Sequence, residues 1–185
     1  MATRPTSEDI DSSTNTLSPS SYPTFVPHVT LASIPKETVV SPEKLRSAIP
    51  ENQAPVQVNF QSIAIGSHYF RSVYIEVVPS AELLELHRKV HDRLAFEPRT
   101  PAFPHLSLCY VDDKDAKNGE RMRFKAALEI QGKSDTSRSG EAGVGRRDGE
   151  NKIYRFRAAE IWIVECEGVV EDWKVLQKIN LTPSR

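Results

Sequence analysis

The chain has 185 residues, of which 38% are hydrophobic and 26% charged, enough for one domain with a substantial core. Its 24 basic and 25 acidic side chains leave a net charge of −1, which excludes recruitment of nucleic acid or an anionic membrane by a broad basic face. Two cysteines, Cys109 and Cys166, make no disulfide framework, and no run approaches a membrane span or a secretory leader, so a soluble, cytoplasmic protein is expected.

Residues 1–21 contain ten Ser or Thr and few large apolar side chains, a composition expected to stay disordered. Order is expected from Tyr22, with a strand over residues 24–32. Ser41-Pro42-Glu43 opens a short helix, Ser41 capping it and Pro42 at its first position, and Pro50 stops it. Val56-Gln57-Val58-Asn59-Phe60 alternates, so residues 56–65 read as a strand. Gly66-Ser67 then signals a turn into a second strand over residues 68–78. Ser80 caps a helix to about Phe96 that carries Leu83, His87, Val90 and Leu94 at helical spacing, with Leu86 beside them. Residues 104–111 form a strand and residues 115–127 a helix. Residues 132–152 hold five glycines and read as a flexible insertion. Strands over 153–164 and 173–181 close an α+β arrangement of about six strands and three helices.

One pattern occurs twice. Phe25-Val26-Pro27-His28-Val29-Thr30-Leu31 is echoed 77 positions later by Ala102-Phe103-Pro104-His105-Leu106-Ser107-Leu108. On a strand, His28 and Thr30 share one face while Val29 and Leu31 take the other, and His105 and Ser107 divide from Leu106 and Leu108 likewise. Two imidazoles facing one pocket can act as base and acid near neutral pH, and the neighbouring hydroxyls can donate to non-bridging phosphoryl oxygens. That apparatus suits in-line displacement at phosphorus, and a protonated imidazole supplies positive charge without a metal. A strained 2′,3′-cyclic phosphate fits it well, because its tethered leaving group needs only a proton.

Rival patterns are weaker. His87 and His91 have metal-ligand spacing on a helix, but no third ligand accompanies them, and His87 borders the apolar stripe. There is no Gly-x-Ser-x-Gly elbow and no P-loop. Cys109 falls on the Ser107 face by period two and reads as a space-filling residue. Arg138, Arg146 and Arg147 read as solvated. Tyr69, Phe70 and Tyr74 can stack on a base or simply pack.

At the two His-x-Thr/Ser motifs the chain resembles the 2H phosphoesterase superfamily, and most of all its fungal and plant cyclic phosphodiesterase branch. The resemblance runs through Tyr69-Phe70-Arg71-Ser72-Val73-Tyr74, Pro104 to Tyr110, Ile161-Trp162-Ile163-Val164 and the tail containing Trp173, covering residues 22–181, with a short tail over 182–185. It implies a bilobal α+β fold, with two antiparallel sheets, flanking helices and a central cleft. It also implies a monomer that needs no cofactor and binds neither nucleic acid stably nor a metal. Its expected partners are small molecules: nucleoside 2′,3′-cyclic phosphates, hydrolysed to 2′-phosphates, and ADP-ribose 1″,2″-cyclic phosphate, a by-product of tRNA splicing. Family positions carry over as catalytic His28 and His105, phosphate-binding Thr30 and Ser107, and substrate-contacting Tyr110. Fungal relatives suggest Golgi association as an alternative location. Family members place a strand and a long amphipathic helix ahead of the first motif, where this chain has residues 1–21. Uncovered apolar surface and an unpaired edge are expected to follow. The alternative function is therefore a catalytically impaired nucleotide- or RNA-end-binding 2H protein.

Overall fold

Val56, Val58 and Phe60 are buried while Gln57 and Asn59 between them are half-exposed, as period two requires. They open the longest strand, β1 (Val56–His68). The structure, a computed structural model, describes residues 16–35, 37–99, 103–136, 140–145 and 152–182. β1 pairs with β2 (Arg71–Val77) on one side and with β6 (Arg155–Ala158) on the other, and β2 pairs with β3 (His105–Cys109). All these pairings are antiparallel, giving a four-stranded sheet of order β3-β2-β1-β6. β4 (Ser134–Thr136) pairs with β5 (Ala142–Val144), and β7 (Glu160–Glu165) with β8 (Lys174–Asn180). With helices α1 (Pro42–Ala48), α2 (Ala81–Leu94), α3 (Asp113–Lys117) and α4 (Glu120–Ile130), the fold is α+β.

Both expected caps form. Ser41 Oγ accepts from Lys44 N at 3.3 Å and Ser80 Oγ from Leu83 N at 3.3 Å, each contributing about 1 kcal/mol. α2 turns Leu83, Leu86, Val90 and Leu94 onto the sheet, where they meet Val58, Phe60, Ile75, Val77 and Leu106 in the main core. Full burial of each such side chain contributes roughly 1.5–3 kcal/mol. A second cluster, Val73, Cys109, Val111 and Phe124, joins α4 to the far end of β2 and β3.

His87 and His91 serve packing. His91 is buried and its Nδ1–H donates to Phe96 O at 3.1 Å. The His87 ring stacks on Phe103 at 4.0 Å, with the His91 ring 4.5 Å away. Burial, and then His91, hold the His87 pKa below the ordinary histidine value. The folded protein therefore binds this proton more weakly than the unfolded chain. The stabilisation is complete above the unfolded pKa of about 6.5 and is lost as pH falls from there through the lowered folded value. Urea midpoints are expected to drop on acidification from about pH 7 to about pH 5, and His87→Phe is expected to flatten that decline. An equally steep decline in the variant would remove His87 as its source.

Several elements differ from the sequence reading. The turn does not form at Gly66-Ser67, which lie inside β1; it forms at Tyr69-Phe70, closed by the His68–Arg71 pair. Gly66 instead marks a bulge between Ile65 and His68, where a Cβ would sit 2.0 Å from Arg71 O. The helix over 115–127 is two helices, because Gly119 adopts a φ of 84° at the start of α4. The strand over 153–164 divides at Ala159 into β6, in the main sheet, and β7, in the hairpin with β8. A stretch of strand-forming residues does not reveal that its two halves serve different sheets. The count is therefore eight strands and four α-helices among the described residues.

Parts of the segments read as disordered or flexible are among the described residues. Residues 1–15 lie outside the described residues, but Ser18 N and Ser21 Oγ donate to Asp115 Oδ2 at 2.9 and 2.6 Å, and Ser20 Oγ donates to Asp112 Oδ2 at 2.5 Å. The hydroxyls that lower hydrophobicity are here the docking groups, fixed at the start of α3. In the insertion, β4 and β5 form a hairpin whose Ala142 reaches the main core, and Asp135 accepts from Lys152 Nζ at 2.6 Å and Tyr154 Oη at 3.1 Å. Residues 137–139 and 146–151, with Arg138, Arg146 and Arg147, lie outside the described residues. In the C-terminal tail, Thr182 N donates to Gln53 O at 3.1 Å, and residues 183–185 lie outside.

The strand over residues 24–32 does not form a ladder. Its described pairing is a single antiparallel bridge, Val29 to Leu106. Pro27 removes a backbone donor within the segment, and Pro23 and Pro35 remove donors on either side of it. No helix among the described residues is long and apolar enough to cross a membrane.

Candidate active site

β3 carries the second motif. Its register sets Leu106 opposite Ile75, Ser107 opposite Tyr74 and His105 opposite Glu76. Directly opposed side chains share a face, so Leu106 goes to the core while His105 and Ser107 share the other face with Tyr74 and Glu76. The His105 ring meets the Tyr74 ring edge to face at 5.4 Å. Beyond it, the Arg71 guanidinium lies 5.7 Å from the Tyr74 ring centroid. Ser62 Oγ donates to Glu76 Oε2 on the next strand. Ser107 is buried, and its Oγ donates to Phe70 O at 2.9 Å.

A bulge follows. Tyr74 pairs with Ser107 but Val73 pairs with Cys109, so Leu108 is passed over. Period two then fails by one residue, and Cys109 turns into the second core beside Val73 instead of lining the Ser107 face. Burial pushes its thiol pKa up to about 12, which makes it a packing group and a poor nucleophile.

The Val29–Leu106 bridge brings the first motif alongside the second. Val29 and Leu31 pack against the main core, so by alternation His28 and Thr30 take the opposite face. All four polar motif residues then fall on the face away from Leu106. His28 is exposed, and its Nδ1–H donates to Val26 O at 2.7 Å. Since a carbonyl can only accept, this bond leaves Nε2 as the basic nitrogen of the neutral ring. Thr30 is half-buried.

Tyr110 lies under this edge. It is buried, Phe25 stacks on it at 4.3 Å, and Phe25 in turn meets the His28 ring edge-on at 6.4 Å. Burial pushes the Tyr110 hydroxyl pKa up to about 12, so it stays protonated at neutral pH. Tyr69 and Phe70 approach Tyr110 at 5.5 and 5.6 Å, and Trp173 approaches Phe70 at 5.8 Å. The sequence motifs point to His28, Thr30, His105, Ser107 and Tyr110, and the fold gathers them on one edge of the molecule. They do not point to Glu76, which only the hairpin register brings there, and Tyr74, read as able to stack on a base or to pack, lies against His105. The surface grooves lined by Glu43, Arg46, Lys89 and Arg93 and by Glu165, Asp172 and Lys174 include no motif residue.

Known proteins resemble this chain over most of its length. The family described as "Cyclic phosphodiesterase-like protein" matches residues 5–181. A 2′,3′-cyclic-nucleotide 3′-phosphodiesterase of Yarrowia lipolytica is 28% identical over 154 residues, covering 65% of this chain and 64% of that protein. A cyclic phosphodiesterase of Arabidopsis thaliana is 22% identical over 163 residues, covering 87% of this chain and 80% of the relative. A 2′,3′-cyclic-nucleotide 3′-phosphodiesterase of Kluyveromyces lactis is 26% identical over 191 residues, covering 91% and 88%. The family match spans both motifs and most of the chain, and this protein belongs to the cyclic phosphodiesterase-like family.

Proposed function

We propose that this protein hydrolyses nucleoside 2′,3′-cyclic phosphates to nucleoside 2′-phosphates by acid-base catalysis with His28 and His105. The observation that carries this reading is the Val29–Leu106 bridge, which sets two His-x-Thr/Ser motifs side by side. One imidazole takes a proton from water as the water oxygen bonds to phosphorus. The P–O3′ bond breaks, and the other imidazole donates its proton to O3′. Thr30 and Ser107 are assigned to the non-bridging oxygens, which gain charge in the transition state, Ser107 by turning its one hydroxyl hydrogen from Phe70 O to the phosphoryl group, and Tyr110 to substrate contact. In this assignment His105 is the base and His28 the acid, with the roles exchanged in the reverse reaction. ADP-ribose 1″,2″-cyclic phosphate, which presents the same five-membered cyclic diester, is a second substrate in this reading. Catalysis needs no metal, since a protonated imidazole and neutral donors supply the charge stabilisation.

The test is incubation with 2′,3′-cyclic AMP followed by phosphorus NMR. The expected product is the 2′-phosphate, formed at the same rate with and without EDTA. Formation of the 3′-phosphate, or loss of turnover on chelation, would overturn the mechanism. A second reading, binding of a nucleotide or RNA end without turnover, is favoured by one observation: the first motif is held to β3 by one bridge and not by a ladder. Tight binding of a 2′-nucleotide with no turnover of the cyclic form would select it.

A further inference from the structure

Arg71 opens β2 and pairs with His68. Its stem crosses the bulge in β1 at Gly66, where a Cβ would lie 3.3 Å from Arg71 Cγ, so the absent side chain leaves the stem its path. The guanidinium reaches the Tyr74 ring, 5.7 Å from the centroid, and the same ring meets His105 at 5.4 Å. Tyr74 stands directly opposite Ser107, so this cation lies on the motif face, one aromatic ring away from His105. Arg88, Arg121 and Arg123 each hold a carboxylate. Arg71 does not: among the described residues none of the ion pairs includes it, and its Nε is buried without a hydrogen-bond partner. The acidic side chain on this face, Glu76, accepts from Ser62 Oγ instead. A cation stripped of water at one nitrogen with no acceptor in return is costly, and such groups call for a reason. Stacking on Tyr74 offsets part of that cost and uses only the flat face of the guanidinium. The N–H edge, which suits two phosphate oxygens at once, stays free for a ligand.

We propose that Arg71 binds a second phosphate of the substrate, carried on the 5′ carbon of the reacting ribose. The protein then favours cyclic phosphates that are also phosphorylated there over bare nucleoside 2′,3′-cyclic phosphates. The proposal rests on the cyclic-phosphate reading and names a substrate class within it. The reacting diester carries a single negative charge and already has two imidazoles and two hydroxyls assigned to it. Arg71 is positioned by Tyr74 and by no motif residue, so its charge serves another part of the same molecule. ADP-ribose 1″,2″-cyclic phosphate fits this class, since its diphosphate is attached to the 5″ carbon of the ribose that bears the cyclic ester. The second phosphate does not change during the reaction, so its contact holds substrate and transition state equally. Its loss therefore appears in KM and not in kcat.

The test compares 2′,3′-cyclic AMP with 5′-phosphoadenosine 2′,3′-cyclic phosphate, which differs only in the second phosphate. Wild type is expected to show a KM about tenfold lower for the 5′-phosphorylated substrate at similar kcat. Arg71→Met, which keeps an apolar stem over Gly66, should abolish that advantage by raising KM for this substrate. Arg71→Lys should retain part of it, as a charge without the planar fork. Equal losses on both substrates, with the advantage retained, would mean that Arg71 only packs on Tyr74 and would overturn the assignment. A fall in kcat on both would place Arg71 on the reacting phosphate and overturn it too. Binding gives a readout separate from turnover. By calorimetry, wild type should bind adenosine 2′,5′-bisphosphate about tenfold more tightly than adenosine 2′-monophosphate, and Arg71→Met should bind the two alike. A wild type that makes this distinction in binding but turns over neither cyclic phosphate would sink the enzymatic reading and leave the Arg71 assignment standing. Turnover of both substrates by wild type with equal KM would sink the Arg71 assignment alone, without recourse to any variant.

Discussion

Turnover of 2′,3′-cyclic AMP is expected to fall by about 10²–10⁴ in kcat for each of His28→Ala and His105→Ala, the range that one positioned proton-transfer group supplies. The two substitutions differ in risk to the fold. His28 is exposed and its described hydrogen bond is local, from Nδ1 to Val26 O, so its removal should leave the melting temperature unchanged. His105 is half-buried against Tyr74, so His105→Gln, which preserves polarity and much of the volume, is the better companion variant. The double variant should be little worse than the poorer single one, because two groups that serve one transition state fail together. The pH profile of wild-type kcat/KM should be bell-shaped, with one imidazole neutral and one protonated, and each single variant should lose one limb. Retention of more than about a tenth of wild-type kcat in both single variants would remove the two-histidine mechanism.

The largest loss of stability is expected at Arg121, which is 8% exposed. Its guanidinium reaches Ser72 Oγ at 3.3 Å, Gly66 O at 3.1 Å, Val111 O at 3.4 Å and Asp113 Oδ1 at 2.9 Å. One α4 side chain thereby ties the β1 bulge, the start of β2, the end of β3 and the start of α3. Asp113 is mostly exposed, so solvent screens that ion pair and it contributes little. The stronger effect is on the carbonyls of Gly66 and Val111 and on Ser72, which is fully buried. Truncation strips these buried polar groups of a donor and opens a void beneath the hairpin. Arg121→Ala is expected to cost about 3 kcal/mol and to lower Tm by roughly 6–12 °C for a chain of this size. Lysine should recover little, since it lacks the planar fork that reaches divergent partners. Thermal denaturation followed by circular dichroism decides it, and a shift within about 2 °C would show that the network is dispensable. Ser72 also holds the Tyr69 carbonyl, so the same variant should loosen the aromatic turn.

Much of this was legible in the chain itself. Period-two burial along Val56-Val58-Phe60 and the burial of Leu83, Val90 and Leu94 on α2, with Leu86 beside them, follow directly from spacing, because a face must be apolar to be buried. The two caps follow from Ser41 and Ser80, whose hydroxyls meet local amides whatever the rest of the fold does. The duplicated motif is equally local, with Val29 and Leu106 each an apolar residue between polar ones, but that they pair with each other is a tertiary fact.

What the sequence by itself determined is therefore the set of short-range choices: which residues cap, which face is apolar, and which imidazoles and hydroxyls travel together. Only the tertiary structure decided where register shifts. The bulge at Leu108 turned Cys109 inward, the close approach at Gly66 moved the turn to Tyr69-Phe70, and the division at Ala159 sent one stretch read as a single strand to two sheets. These outcomes depend on distant partners, namely Val73, Arg71 and β8, and no local pattern encodes a partner's position. The docking of residues 18–21 on Asp112 and Asp115 belongs to the same class. Polar side chains read as solvated until the carboxylates that bind them are brought there by the rest of the fold.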